Sequence, residues 1–229
     1  MFDIITKTEY LDWYRDEIAD RSTHSLKGIQ DAWVLSLFVG KKGLRMAEAG
    51  GGNSRVLRNL RNEHECWNID KFEGMGGGPK NINPNSEKGI NVVKSYLGEY
   101  SKELPSNYFD VLFSISVIEH IEKNMLNSFF DNSYRILKPG GMIAHAIDIH
   151  LYDDPQKNGR DVKRYCSAVQ NSAFEWLLPP KINQDIRFKC HYASNSDATM
   201  GARNLILPGL RKMREFGQNV SIKMIAIKR

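Results

Sequence analysis

A chain of 229 residues with 41% hydrophobic and 26% charged side chains has the size and mix of one large globular domain, which excludes a disordered, collagenous, coiled-coil or disulfide-stapled protein. No apolar run reaches the roughly 18 residues of a membrane span, and the start Met1-Phe2-Asp3-Ile4-Ile5-Thr6-Lys7 lacks the basic, then apolar, pattern of a signal peptide. The three cysteines, Cys66, Cys166 and Cys190, have no CxxC spacing and read as buried or free thiols in a reducing cytoplasm, while the net charge of +5 is concentrated at the C-terminal end.

In residues 1–40 two helices are expected. Tyr10, Leu11, Tyr14 and Ile18 fall at helical spacing in 7–20. Ser25 is a fitting N-cap for a second helix whose stripe is Leu26, Ile29, Trp33 and Leu37, ended by Gly40. These form an N-terminal helical extension packed on a core domain of 41–229. The core then alternates. Residues 44–49 read as a strand leading into Gly50-Gly51-Gly52, 55–62 as a helix and 65–70 as a second strand. Residues 72–90, rich in Gly, Asn and Pro, read as a long flap loop. Residues 91–94 are a short third strand, 109–115 a buried strand, and 124–137 a helix with Leu126, Phe129, Phe130, Ser133 and Ile136 on one stripe. Pro139-Gly140-Gly141 is a turn into a strand at 142–147. Near the end, 186–188 and 220–227 read as two strands around a short helix at 210–216. Strands alternating with helices predict an α/β fold: a Rossmann-like, doubly wound, mostly parallel sheet of seven strands.

Ligands of such a sheet lie beyond the carboxyl ends of its strands. The first end is Glu48-Ala49-Gly50-Gly51-Gly52-Asn53-Ser54. A dinucleotide would bring a pyrophosphate to this turn, which the Glu48 carboxylate would repel. S-adenosylmethionine carries no phosphate but has an ammonium and a sulfonium, which Glu48 would attract. The glycines let backbone approach the ligand. Asp70, closing the second strand, can accept both hydroxyls of an adenosine ribose.

Five segments together resemble the successive motifs of class I S-adenosylmethionine-dependent methyltransferases: Glu48-x-Gly50-x-Gly52, Asp70, Phe109-Asp110-Val111, Val117-Ile118-Glu119-His120-Ile121 and Leu137-Lys138-Pro139-Gly140-Gly141. Where the family often has a third glycine, this chain has Ser54. The resemblance implies that Glu48 and the backbone of Gly50, Gly51 and Gly52 face the methionine part. It implies that Asp70 holds the ribose, that Leu97 and Gly98 lie by the adenine, and that Ser116 and Val117 lie under the sulfonium.

The candidates for acting on an acceptor project from the next two strand ends. His120 follows the fourth strand beside Glu119. Strand alternation puts Asp148 and His150 on one side of the fifth strand, where a carboxylate-oriented imidazole would serve as a base near neutral pH. A divalent metal on Glu119, Asp148 and His150 is a lesser reading taken from sugar methyltransferases of this fold, and no metal ligand is assigned. His24, His64 and His191 read as surface or packing residues. Residues 151–203 form an acceptor-side insertion with Tyr152, Lys163-Arg164-Tyr165 and Phe174-Glu175-Trp176. With the 70–78 and 140–148 stretches and Arg164-Tyr165-Cys166-Ser167, it is similar to methyltransferases associated with bacterial surface polysaccharides. The resemblance implies O-methylation of a small-molecule hydroxyl in the cytoplasm, on a sugar or a phosphate-linked sugar. An anionic acceptor would suit the basic stretch 203–229, which holds seven basic residues against Glu215. The alternatives are a nucleic-acid methyltransferase using that basic edge, against which stands the lack of an Asn-Pro-Pro-Tyr or Asp-Pro-Pro-Tyr motif, and a non-catalytic module that keeps only the fold. A homodimer is left open.

Overall fold

Eight strands make one sheet in the computed structural model, which describes residues 1–20, 25–74, 78–85, 87–152, 155–182 and 217–229. They are β1 (Phe2–Ile4), β2 (Arg45–Ala49), β3 (Glu65–Ile69), β4 (Ile90–Val93), β5 (Phe109–Ile115), β6 (Leu137–Tyr152), β7 (Glu175–Trp176) and β8 (Gly217–Ile227). The order is β1-β8-β6-β5-β2-β3-β4, with β7 also on β8. Strands β4, β3, β2, β5 and β6 run parallel; β8 is antiparallel to β6, β1 and β7. The doubly wound, mostly parallel sheet expected from the alternating pattern is therefore present.

Helices cover both faces. α2 (Leu26–Ser36) and α3 (Arg55–Leu60) lie on one, with Trp33, Val34, Val56 and Leu57 against Met46, Phe113, Ala144 and Ala146. α4 (Leu126–Ile136) and α5 (Pro155–Asn171) lie on the other, with Phe129, Phe130, Val162 and Val169 in one cluster with Ile143, Ile147 and Ile149. α1 (Lys7–Arg15) packs on α2 through Tyr10 and Ala32. The N-termini of α1 and α2 are capped locally. Thr6 and Glu9 form a reciprocal capping box on α1, and the Ser25 hydroxyl accepts from Gly28 N–H at 3.1 Å on α2.

Four details differ from the sequence pattern. The first 40 residues are not helical throughout: β1 pairs Phe2 with Met224 and Ile4 with Ile222, and Phe2 is fully buried. The described residues hold eight strands where seven were expected. The fifth parallel strand does not begin and end at 142–147. It runs to Tyr152, because β8 pairs with it residue by residue from Met142↔Ile227 to Tyr152↔Gly217. A helix, α5, occupies 155–171 within the expected insertion. The strand expected at 186–188 and the helix expected at 210–216 lie outside the described residues.

Pro139-Gly140-Gly141 sits where the β5–β6 register jumps from Phe109↔Leu137 to Val111↔Met142. A Cβ on Gly141 would lie 2.9 Å from the Lys138 carbonyl oxygen and 3.0 Å from that of Phe109. Both are backbone atoms of paired strands, so neither moves cheaply. Gly141→Ala is therefore expected to lower stability by about 1–3 kcal/mol, seen as a lower urea midpoint. An unchanged midpoint would mean that the bulge yields freely.

Candidate active site

The sheet order reverses at β2 and β5: from β2 the chain moves outward through β3 and β4, and from β5 it moves the other way to β6. A crevice forms beyond the carboxyl ends of strands at such a point. Two turns meet there. Gly50 follows β2 at φ +66°, and Ser116 follows β5 at φ +54°. A Cβ on Gly50 would lie 2.7 Å from Val117 Cγ2, so only glycine allows the two turns to touch. Ser116 has a Cβ and holds the left-handed conformation regardless, at a cost of about 1–2 kcal/mol that its hydrogen bonds must offset.

Glu48 is 4% exposed and accepts a hydrogen bond from the Ser54 hydroxyl. Burial pushes its carboxyl up to about 8; the Ser54 bond and Arg55 act against that, while Asp31 and Glu87 add to it. Ser54 also accepts from Leu57 N–H at 2.9 Å and so caps α3. This gives the serine at the third-glycine position two jobs, fixing the helix start and holding Glu48.

Asp70 bridges two loops. Its carboxylate accepts Gly52 N–H at 2.9 Å on one oxygen and Phe72 N–H at 2.6 Å on the other. Phe72 is buried with φ +57°, so this turn is fixed by the aspartate. Asn68, which the sequence reading passed over, lies two residues earlier on the same side of β3. It is fully buried, and its amide donates to the Gly52 carbonyl at 2.8 Å and to Glu87 at 3.2 Å. A Cβ on Gly51 would fall 2.5 Å from Asn68 Oδ1. Pro79, in the expected flap, lies against Gly52, whose Cβ would meet its Cδ at 2.8 Å.

Leu97 is 3% exposed and belongs to the main core, while Gly98 abuts the start of α4. What Leu97 and Gly98 can offer a ligand is therefore backbone. Around them Lys71 pairs with Glu99 at 2.6 Å and the Tyr96 hydroxyl donates to Glu73 at 2.9 Å, tying 96–99 to the residues that follow Asp70.

On the other side of the crevice, Asp148 and His150 share the face of β6 that carries Ala144 and Ala146, as alternation predicts. They do not pair with each other. Asp148 accepts from the side-chain amide of Gln30, and His150 Nδ1 lies 2.7 Å from Asn219 Oδ1, its ring against Tyr152 at 4.4 Å between centroids. Burial raises the Asp148 carboxyl, opposed by hydrogen bonds from Gln30 and Ser116 and by the charges of Lys27 and His120. Both Glu119 carboxylate oxygens are buried without a side-chain partner; burial together with Asp148 pushes the group up to about 8, against the nearby backbone N–H groups of Glu119 and Asp148 and the charge of Lys27. His120, next to it, is exposed. Among the described residues no three His, Cys, Asp or Glu side chains are grouped as metal ligands, so Glu119, Asp148 and His150 are not gathered into such a set.

Two other histidines are packing residues. His64 Nδ1 accepts Leu44 N–H at 3.2 Å beside Phe38. His145 is fully buried, 2.8 Å from Ser114 Oγ, and burial lowers its pKa to about 3, so it stays neutral. His24 and His191 lie outside the described residues. The basic C-terminal edge is largely consumed where it is described. Lys223 is 5% exposed and paired with Glu9. Lys228 donates to Asn107 Oδ1 and to the Tyr134 and Leu137 carbonyls at 2.7–2.8 Å, and Arg229 pairs with Glu175 at 2.5 Å. Arg203, Arg211, Lys212 and Arg214 fall outside the described residues.

Residues 47–145 match the family model described as "Methyltransferase domain". No curated protein matches the chain in sequence. Among solved structures it is similar to phosphoethanolamine N-methyltransferase 2 of Haemonchus contortus, solved with S-adenosyl-L-methionine, at TM-score 0.59 and 17% identity over 97% of this chain and 57% of that one. It is similar to a TehB-like SAM-dependent methyltransferase of Corynebacterium glutamicum at TM-score 0.55 and 11% identity, over 97% of both chains. It is also similar to geranyl diphosphate C-methyltransferase of Streptomyces coelicolor A3(2) at TM-score 0.50 and 10% identity, over 87% of this chain and 78% of that one. The chain thus spans little more than half the length of the Haemonchus enzyme. At these identities the likeness to the solved structures is one of fold, and the match to the methyltransferase-domain model spans residues 47–145, less than half of the chain.

Proposed function

We propose that this chain is a cytoplasmic enzyme that moves a methyl group from S-adenosylmethionine to a hydroxyl of a small molecule, on a sugar or a phosphate-linked sugar. One observation carries the cofactor half: at the switch point, a buried Glu48 carboxyl and an Asp70 carboxylate held by two backbone N–H groups flank glycines that a Cβ would block. These residues suit the cofactor's chemistry. Among the described residues Glu48 has no cation in hydrogen-bond contact, and it would gain one from the methionine ammonium or sulfonium. Asp70, whose oxygens each accept one backbone N–H, keeps lone pairs that would accept ribose hydroxyls, and Val117 forms a wall against Gly50. The bound cofactor supplies a methyl group on cationic sulfur, already activated for in-line displacement.

The chain's own part is to position the acceptor and hold its proton. A hydroxyl needs a base. Asp148, with its raised carboxyl and His120 within electrostatic reach, is the leading group for that role. His150 and Tyr152 offer an aromatic wall further along the β6–β8 ribbon. Calorimetry with S-adenosylmethionine, followed by a screen of sugar nucleotides for release of S-adenosylhomocysteine, tests the reading. Binding with turnover on a sugar nucleotide is expected. Absence of binding by the wild-type protein would leave only a non-catalytic module.

A second reading, an amine acceptor, is favoured by the two buried oxygens of Glu119, which have no side-chain partner and lie beside Asp148, an arrangement that suits a protonated amine. The structurally similar Haemonchus enzyme is named for N-methylation of phosphoethanolamine. Including small amines in the same screen separates the two. For a nucleic-acid acceptor, affinity for RNA would fall steeply with salt. The internal pairing of Lys223, Lys228 and Arg229 argues for a flat response.

A further inference from the structure

We propose that Gln30, on the N-terminal helix α2, is a positioning residue of the acceptor side, whose amide fixes Asp148 and the turn after β5 together. This rests on the reading of Asp148 as the acceptor-side carboxylate. Gln30 is fully buried, 118 residues away from Asp148 in the chain. Its Nε2 donates to Asp148 Oδ1 and, at 2.9 Å, to Ser221 Oγ on β8; its Oε1 accepts from Ser116 Oγ at 2.9 Å. One side chain thus joins the turn after β5 to β6 and β8, with its polar atoms all used. Burying an amide this completely is costly unless every partner is present, so the arrangement resists sliding.

Both attachment points bear on the crevice. Ser116 is the left-handed residue of the β5 turn, and its neighbour Val117 is the one that touches Gly50. Asp148 is partly buried beside Glu119, and a neutral donor aimed at its Oδ1 favours the charged form and sets which oxygen stays available. An apolar residue at position 30 would remove the amide donor at Asp148 Oδ1 and leave the Ser116 hydroxyl as the donor facing that carboxylate. Among the described residues the other charged or titratable groups on this side are few. Lys27 lies on α2, Glu119 and His120 follow β5, and His150 lies on β6. Lys223 of β8 stands opposite Ala146 and is already paired with Glu9 of α1. Asp31 of α2 is paired with Arg55.

The test uses the full chain with carbon-13-labelled aspartate. Asp148 is assigned by the resonance missing in Asp148→Asn, and its titration is followed in wild type, Gln30→Met and Gln30→Glu. Gln30→Met, close in volume, is expected to move the Asp148 titration up by about one pH unit. Gln30→Glu keeps the shape, places a second carboxyl on Asp148, and is expected to move it further. Turnover on the acceptor found by the screen should show its acid limb displaced in the same direction, with the S-adenosylhomocysteine Kd kept within about threefold of wild type. Should Gln30→Met fail to fold, the isosteric Gln30→Glu carries the comparison. An Asp148 titration unmoved in the folded variants, or a pH profile that stays at the wild-type position, overturns the proposal. Full turnover by Asp148→Asn would instead remove the reading of Asp148 on which it rests.

Discussion

Asp70→Ala is expected to weaken S-adenosylmethionine binding at least about a hundredfold, with the fold retained by circular dichroism. Two charge-assisted hydrogen bonds to ribose hydroxyls contribute about 1.5–3 kcal/mol each, and about 2.8 kcal/mol corresponds to a hundredfold in Kd. The aspartate has a second job that adds to the loss. Its oxygens hold the N–H groups of Gly52 and Phe72, so removing it frees both the glycine turn and the turn that follows β3. Asp70→Asn should not rescue. An amide has one oxygen for two N–H donors, so one of Gly52 and Phe72 would face an NH2 group. Calorimetry on the three proteins is the measurement. A Kd for Asp70→Ala within threefold of wild type would mean that the ribose lies elsewhere.

The parts of this site that lie close together in sequence were legible. Glu48, the glycines and Asp70 each terminate a short buried strand, and such strands announce themselves as apolar runs that stop at turn residues. The same holds for β5, whose bounds, Phe109–Ile115, follow its apolar run. What was not legible depends on pairing across long distances. Three residues at the start carry too little pattern to mark β1, which exists because β8 offers it an edge. The length of β6 depends on β8 in the same way, since its outer half, from Ile147 to Tyr152, pairs only with that strand's opposite run.

Individual polar residues show the same division. Alternation correctly put Asp148 and His150 on one face, but their hydrogen-bond partners, Gln30 and Asn219, come from segments far away in sequence. Gln30 left a faint signal. It lies four residues after Leu26 and three before Trp33, on the inward stripe of α2, where a polar side chain needs a reason. Asn68 left a similar one, a polar residue inside a short buried strand beside Ile69. A rule that flags single polar residues on an apolar stripe would have found both.

The pH dependence of cofactor binding follows from Glu48. In the free protein burial raises its carboxyl to about 8, well above the ordinary 4.5, so it holds a proton at neutral pH. Such a group favours the fold below the ordinary value, and that contribution is lost as pH rises through about 8. A cationic ligand reverses the preference, because it stabilises the carboxylate. Binding near pH 7 must then release a proton, and affinity should rise by up to about tenfold per pH unit on approaching 8 from below. Calorimetry at pH 7 in buffers of different ionisation enthalpy reads the proton count directly, with close to one proton released expected for wild type. Glu48→Gln keeps the shape and the Ser54 neighbour but has nothing to titrate. Its affinity should be lower at pH 7.5 and nearly flat with pH, and the ligand's own amine titration is common to both proteins and drops out of the comparison. The same variant should be more stable than wild type above pH 8 when no ligand is bound, since it no longer forces a buried charge. A wild-type Kd that is flat from pH 6 to 8, with no buffer dependence of the enthalpy, would show that Glu48 meets no cation and that its burial has only a structural cause.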